Sequence, residues 1–210
     1  MRKAIYSYPY STKIVNVKMV AADYPINPPE EVRPTNPINV ATINNHVYFY
    51  SDVTPESCLA LIRELRNAAA ELRASDYGQT PIILHVMSNG GDAFPALAVA
   101  DQMGQIGWRV ESVIEGVCAS AGTFIALAAA TCRIQRNAFM LIHSLSAGFD
   151  GTIQQIQDHT TMLDQLNEQM AEFYVAHTAA KKQEIMELML RDSWLSATEA
   201  VEAGIVDGVM

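Results

Sequence analysis

The sequence is short of positive charge: Lys and Arg supply 14 of its 210 residues against 23 Asp and Glu, a formal net charge of −9. Without a clustered basic footprint to meet a phosphate backbone, no nucleic-acid partner is expected. Cysteine is scarce as well, with three residues and no CxxC pairing. An odd, unpatterned set suits a reducing compartment and not a disulfide framework. No segment reaches the roughly 18–20 apolar residues of a membrane span, the nearest being the Ala-rich run from Cys118 to Thr131. The opening MRKAIYSYPYSTKIVNVK holds no apolar stretch of signal-sequence length. A cytoplasmic protein without a membrane partner is the expectation. No second His or Cys stands at ligand spacing from His143, so neither metal nor cofactor is implied.

What is present is apolar: half of the residues, enough for one sizeable core and too few to demand two. Residues 1–40 carry Pro25, Pro28, Pro29, Pro34 and Pro37 among Asn and Glu, which reads as an irregular N-terminal extension or arm. The domain proper is expected over 41–210. NVATINNHVYFYSDV reads as a strand-like stretch before Thr54, an N-cap with Pro55 at the first helical position. The helix that follows reaches about Ala74, with Leu59, Ile62, Leu65 or Ala69, and Leu72 on its apolar face. Then come PIILHVM as a strand, the turn SNGGD, a helix over about 94–106, RVESVIEG as a strand, CASAGTFIALAAA as a small-residue helix, and CRIQR and FMLIHSL as strands. Strands alternating with helices at this pace predict an α/β fold with a largely parallel sheet.

From Thr152 to about Ala180 one long helix is expected, with Ile156, Leu163 and Met170 seven apart and Leu166 and Phe173 three further on. So narrow a seam fits packing against another helix, in a partner or folded back on the same sheet. Ser196 and Glu199 form a capping box that opens a short helix ending at Gly204, and IVDGV closes as a strand.

Four places can carry chemistry. Ser120, in GVCASAG, stands where a strand gives way to a helix of small residues, with Ala119, Ala121 and Gly122 leaving room for a substrate carbonyl. SNGGD follows a strand, and its paired glycines permit a close main-chain approach of the kind an oxyanion hole needs. A dinucleotide loop is disfavoured, because the third glycine is missing and Asp92 stands where phosphate would sit. His143 ends a buried strand before a glycine-bearing loop and suits a general base near neutral pH; His46, His159 and His177 look exposed. Asp192, expected to be partly buried beside Trp194, can hold the imidazole in one tautomer. Each place alone has an ordinary structural explanation; their joint presence in one α/β chain points to nucleophilic catalysis.

From about Val47 to Val209 these segments resemble the ClpP peptidases, the proteolytic subunits of the Clp system. IILHVMSNGG is similar to the family's strand and turn, GVCASAG to its nucleophile segment, FMLIHSLSAGFDGT to its histidine segment, and AHTAAKKQEIMELMLRDSWLSATEAVEAGIVDGV to its C-terminal stretch. The resemblance implies a catalytic triad of Ser120, His143 and Asp192, with the backbone amides of Gly91 and Ala121 as oxyanion hole. It implies the ClpP/crotonase fold of repeated ββα units with a protruding handle helix, here about 152–180. It further implies a homo-oligomer of heptameric rings, stacked as a tetradecamer, that cleaves unfolded polypeptides and short peptides. By itself such a subunit is ATP-independent, and an AAA+ unfoldase would be its ATP-driven partner. Departures from the family pattern are Asn89 for a proline, Ala121 for a methionine, and Ser144-Leu145 for Gln-Pro. Two alternatives stay open: a non-catalytic ring subunit, which would not label with a serine probe, and a crotonase-like acyl-CoA enzyme, which would bind CoA thioesters.

Overall fold

In a computed structural model of the protein, residues 4–8, 11–15, 38–75 and 78–210 are described. The chain divides into two units, 1–35 and 36–210. In the first, β1 (Ala4–Tyr8) and β2 (Ser11–Val15) pair antiparallel, Ala4 opposite Val15. Extended or irregular backbone is the expectation across the arm; β1 and β2 are extended segments within it, and the proline-rich stretch 21–37 lies outside the described residues.

The second unit runs β3 (Val40–Ile43), β4 (His46–Tyr50), α1 (Pro55–Ala74), β5 (Ile82–Ser88), α2 (Ala93–Gln105), β6 (Val110–Ala119), α3 (Ala121–Leu127), β7 (Thr131–Ile134), β8 (Phe139–Ile142), α4 (Ile153–His177), α5 (Lys182–Leu190), β9 (Ser193–Ser196), α6 (Ala197–Glu202) and β10 (Gly208–Val209). Its eight strands form one sheet in the order β10-β7-β6-β5-β4-β3, with β8 attached to β6 and β9 to β8. The α/β class is as expected. The ββα pattern is literal at β3–β4–α1 and at β7–β8–α4, with single strand–helix steps between.

Three local readings are corrected. NVATINNHVYFY is a hairpin and not one strand: Asn44 adopts φ 56 between β3 and β4, which asparagine tolerates better than most residues. Cys118 and Ala119 belong to β6, not to the following helix, because the end of that strand pairs with β8, Cys118 opposite Met140. On α1 the buried face is Cys58, Leu61, Leu65, Ala68, Ala69 and Leu72, whereas Leu59 is exposed. The caps of α1 are as read: the Thr54 side chain accepts from Ser57 N–H, and Pro55 opens the first turn, where no N–H is needed.

The core lies between the sheet and its helices. Phe49, Leu61, Leu65, Leu84, Ile114, Phe124 and Tyr174 are fully buried, each apolar side chain contributing about 1.5–3 kcal/mol by leaving water. The long helix α4 ends at His177, ahead of a separate α5. Its seam divides in two: Leu166 and Met170 are buried in their own domain, while Ile156 is half-buried and Ile153 exposed at the start of the helix. No described helix is long and apolar enough to cross a membrane.

Candidate active site

Three strand registers bring the candidate residues together. Parallel pairing of β5 with β6 sets Ser88 beside Cys118, which carries the SNGGD turn to the end of β6. Parallel pairing of β6 with β8 sets Ala119 beside Leu141, so Ser120 and His143 leave the sheet at one edge. Antiparallel pairing of β8 with β9 sets Ile142 opposite Ser193, which places Asp192 across from His143.

Ser120 is the N-cap of α3 with φ 53 and ψ −127. A non-glycine residue in this region carries strain of about 1–3 kcal/mol and persists only where its surroundings enforce it. Here the Ser120 N–H donates to Leu141 O at 2.9 Å, and the Ser120 carbonyl accepts from Thr123 N–H at 2.9 Å and from the Thr123 hydroxyl at 2.6 Å. The Ser120 Oγ then lies 2.7 Å from His143 Nε2. For the hydroxyl to donate to Nε2, the imidazole must hold its proton on Nδ1. The loop after His143 is anchored by Ser144 N–H on Met189 O at 2.9 Å.

Asp192 meets this arrangement loosely. Its Oδ1 lies 3.9 Å from His143 Nδ1, beyond hydrogen-bond reach, and its side chain is 76% exposed. The expected partial burial beside Trp194 is corrected, since Trp194 is itself exposed. Asp192 stands at φ 50 on the short connection from α5 to β9.

The glycines act through the main chain. Gly91 forms a parallel bridge with Val53, in which Val53 N–H donates to Gly90 O at 2.8 Å and Asp92 N–H to Val53 O at 3.0 Å. That pattern takes up the amide groups on either side and leaves the Gly91 N–H out of the ladder. The Ala121 N–H, in the first turn of α3, has no intrahelical acceptor. Both residues line one cavity of about 370 Å³ together with Ser120 and His143, its apolar walls including Phe94, Leu145, Met162 and Leu163. A Cβ on Gly90 would come within 2.7 Å of Ser120 Cβ and of Ala119 O, and a Cβ on Gly91 would fall on the Val53 carbonyl. Glycine is needed at both places, at φ 93 and φ 147.

The cysteines are unsuited to be nucleophiles. All three are buried and unpaired. Burial pushes the Cys58 thiol up to about 11 and Cys132 to about 12, and raises fully buried Cys118 well above its ordinary value, so little thiolate exists near neutral pH. Among the described residues no group of three or more His, Cys, Asp or Glu side chains could hold a metal ion. Of the other histidines, His46 and His159 are half-buried instead of exposed, and His177 is exposed as read. Two neighbours of the site escape a sequence reading. Thr123 offers only its spacing of three from Ser120, a common helix-start pattern, and Tyr174, on α4, offers no signal at all.

Residues 34–210 match the Clp protease family model. The chain is 30% identical over 171 residues to the ATP-dependent Clp protease proteolytic subunit 1 of Chlamydia muridarum, covering 80% of this chain and 86% of that one. It is 29% identical over 168 residues to the proteolytic subunit 2 of Cutibacterium acnes, covering 79% and 77%. Against the proteolytic subunit 3 of Streptomyces avermitilis it is 32% identical over 131 residues, covering 61% and 60%.

Proposed function

The chain belongs to the Clp protease family, and from that premise we propose that it is a serine endopeptidase subunit with Ser120 as nucleophile and His143 as general base. The observation that carries the reading is the 2.7 Å contact between Ser120 Oγ and His143 Nε2 in the lining of a largely apolar cavity. As Ser120 Oγ attacks a peptide carbonyl, its proton passes to Nε2; the resulting imidazolium is stabilised by the Asp192 carboxylate across 3.9 Å. The Gly91 and Ala121 amides receive the oxyanion, and a preorganised donor of this kind contributes about 2.7–4 kcal/mol in the transition state. The proton then goes to the leaving amine, the C–N bond breaks, and water attacks the acyl-enzyme by the same steps in reverse.

The substrates under this reading are unfolded polypeptides and short peptides, as the resemblance to the family implies. The assembly is a homo-oligomeric ring, with Ile153, exposed at the start of α4, available to a facing ring. Three free thiols suit the cytoplasm. The relatives named above are described as ATP-dependent, which supports an ATP-driven unfoldase as partner.

The test is Ser120→Ala. The wild-type protein is expected to cleave fluorogenic peptides and to take up a fluorophosphonate at Ser120, identified by peptide mass. The variant is expected to lose both while its native mass is unchanged. Cleavage that survives in Ser120→Ala overturns the assignment, and a wild-type chain that never labels fits the non-catalytic ring subunit instead.

A further inference from the structure

The candidate site is tied to α4 by a hydrogen-bond chain that the mechanism above does not use. The Thr123 hydroxyl lies 2.6 Å from the Ser120 carbonyl oxygen and 2.6 Å from the Tyr174 hydroxyl. Both Thr123 and Tyr174 are fully buried. A carbonyl oxygen can only accept, so the single Thr123 hydroxyl proton is spent on Ser120 O. The contact with Tyr174 then has one polarity: the phenol donates to Thr123 Oγ1. Burial raises the Tyr174 phenol well above its ordinary range, which keeps that donor protonated at any working pH.

We propose that Tyr174 and Thr123 are positioning residues that fix and polarise the Ser120–Ala121 peptide, and through it the Ala121 N–H that faces the oxyanion. This rests on the acyl-transfer reading above and deepens it. The Ser120 carbonyl and the Ala121 N–H belong to one planar peptide group, so holding the oxygen fixes the direction of the hydrogen on the opposite side. The oxygen is held by two donors, Thr123 N–H at 2.9 Å and the Thr123 hydroxyl, the second reinforced from behind by Tyr174. Donors on the carbonyl draw electron density from the amide, and bonds in such chains strengthen one another by about 10–30% each. The N–H that results is both better aimed and more positive. The chain also resists relaxation of Ser120 out of φ 53, since that rotation would swing the same peptide plane.

A plain packing role for Tyr174 makes a different prediction, and kinetics separate the two. Tyr174→Phe removes the phenol oxygen alone; Thr123→Val removes the hydroxyl and keeps the shape. Full loss of one oxyanion donor costs about 10²–10³ in kcat, so weakening one is expected to cost about tenfold in Tyr174→Phe and more in Thr123→Val, with KM within twofold. Affinity for a peptide boronate, whose tetrahedral adduct puts an oxygen in the hole, is expected to fall in step with kcat/KM. Thr123→Ser, which keeps the hydroxyl, is expected to recover most of the rate. Folded Tyr174→Phe and Thr123→Val proteins with wild-type kcat and boronate affinity overturn the inference. So does a loss carried entirely by KM. Ser120→Ala, run alongside, keeps the failures apart: cleavage surviving there overturns the parent reading, whereas a dead Ser120→Ala beside an unaffected Tyr174→Phe overturns this inference alone.

Discussion

Replacing Asp192 by Asn tests how much of the proposed mechanism depends on the carboxylate. The carboxylate is 3.9 Å from His143 Nδ1 and its side chain is 76% exposed, so its attraction for the imidazolium is close to the value in water. Two unit charges at that distance interact by about 1 kcal/mol in a water-like dielectric, and solvent and salt screening reduce this further. A loss of up to about 1 kcal/mol lowers kcat/KM by up to about fivefold. A buried, hydrogen-bonded triad carboxylate would instead be worth about 10⁴. The assay is kcat/KM on a fluorogenic peptide for wild type and Asp192→Asn at low and high salt, with the difference shrinking as salt rises. A loss of 10³ or more, insensitive to salt, would refute the reasoning. It would mean that in the working state the gap closes to a hydrogen bond shielded from solvent.

Two further predictions concern stability. In Gly91→Ala, strain at φ 147 and overlap with the Val53 carbonyl each cost about 1–3 kcal/mol, so Tm should drop by about 5 °C or more with activity lost; an unchanged melting curve refutes the turn geometry. The second is a pH effect on the far side of β5, where the His85 ring lies 2.8 Å from His46 Nδ1 and 2.9 Å from Glu115 Oε1, the carboxylate also accepting from Tyr50 and Gln135. Burial first, and His46 second, lower the His85 pKa from 6.5. Burial raises that of Glu115, so desolvation outweighs the ion pair at both partners. Below about pH 6.5 the folded chain therefore binds fewer protons at His85 than the unfolded chain, and stability falls with pH through that window. The raised Glu115 acts with the opposite sign and offsets part of the loss nearer its own range. Thermal melts from pH 8 to 5.5 should show a declining Tm that flattens in His85→Gln, and a flat wild-type profile contradicts this account.

The local code of this chain was legible wherever a signal acts within a few residues. The Thr54 and Pro55 helix start, the capping box at Ser196, the strand–turn–helix around SNGGD and the α/β alternation all read directly, because caps and periodicity are short-range effects. So did Ser120 and His143 as candidates, since small residues beside a serine and a histidine at the end of a buried strand are features of the text. Phase and partnership were not legible. Leu59 and Leu61 both fit a helical apolar stripe, and only the position of the sheet decides that Leu61 is buried and Leu59 exposed. Cys118 is strand because β8 arrives beside it, and Asp192 is solvent-facing on the connection just ahead of β9. The contact between Ser120 and His143, and the buried link through Thr123 to Tyr174, depend on strand registers and helix packing across dozens of residues. Composition and spacing determine which groups are available; distance between them is a property of the packed sheet, and it is distance that sets whether a proton can pass.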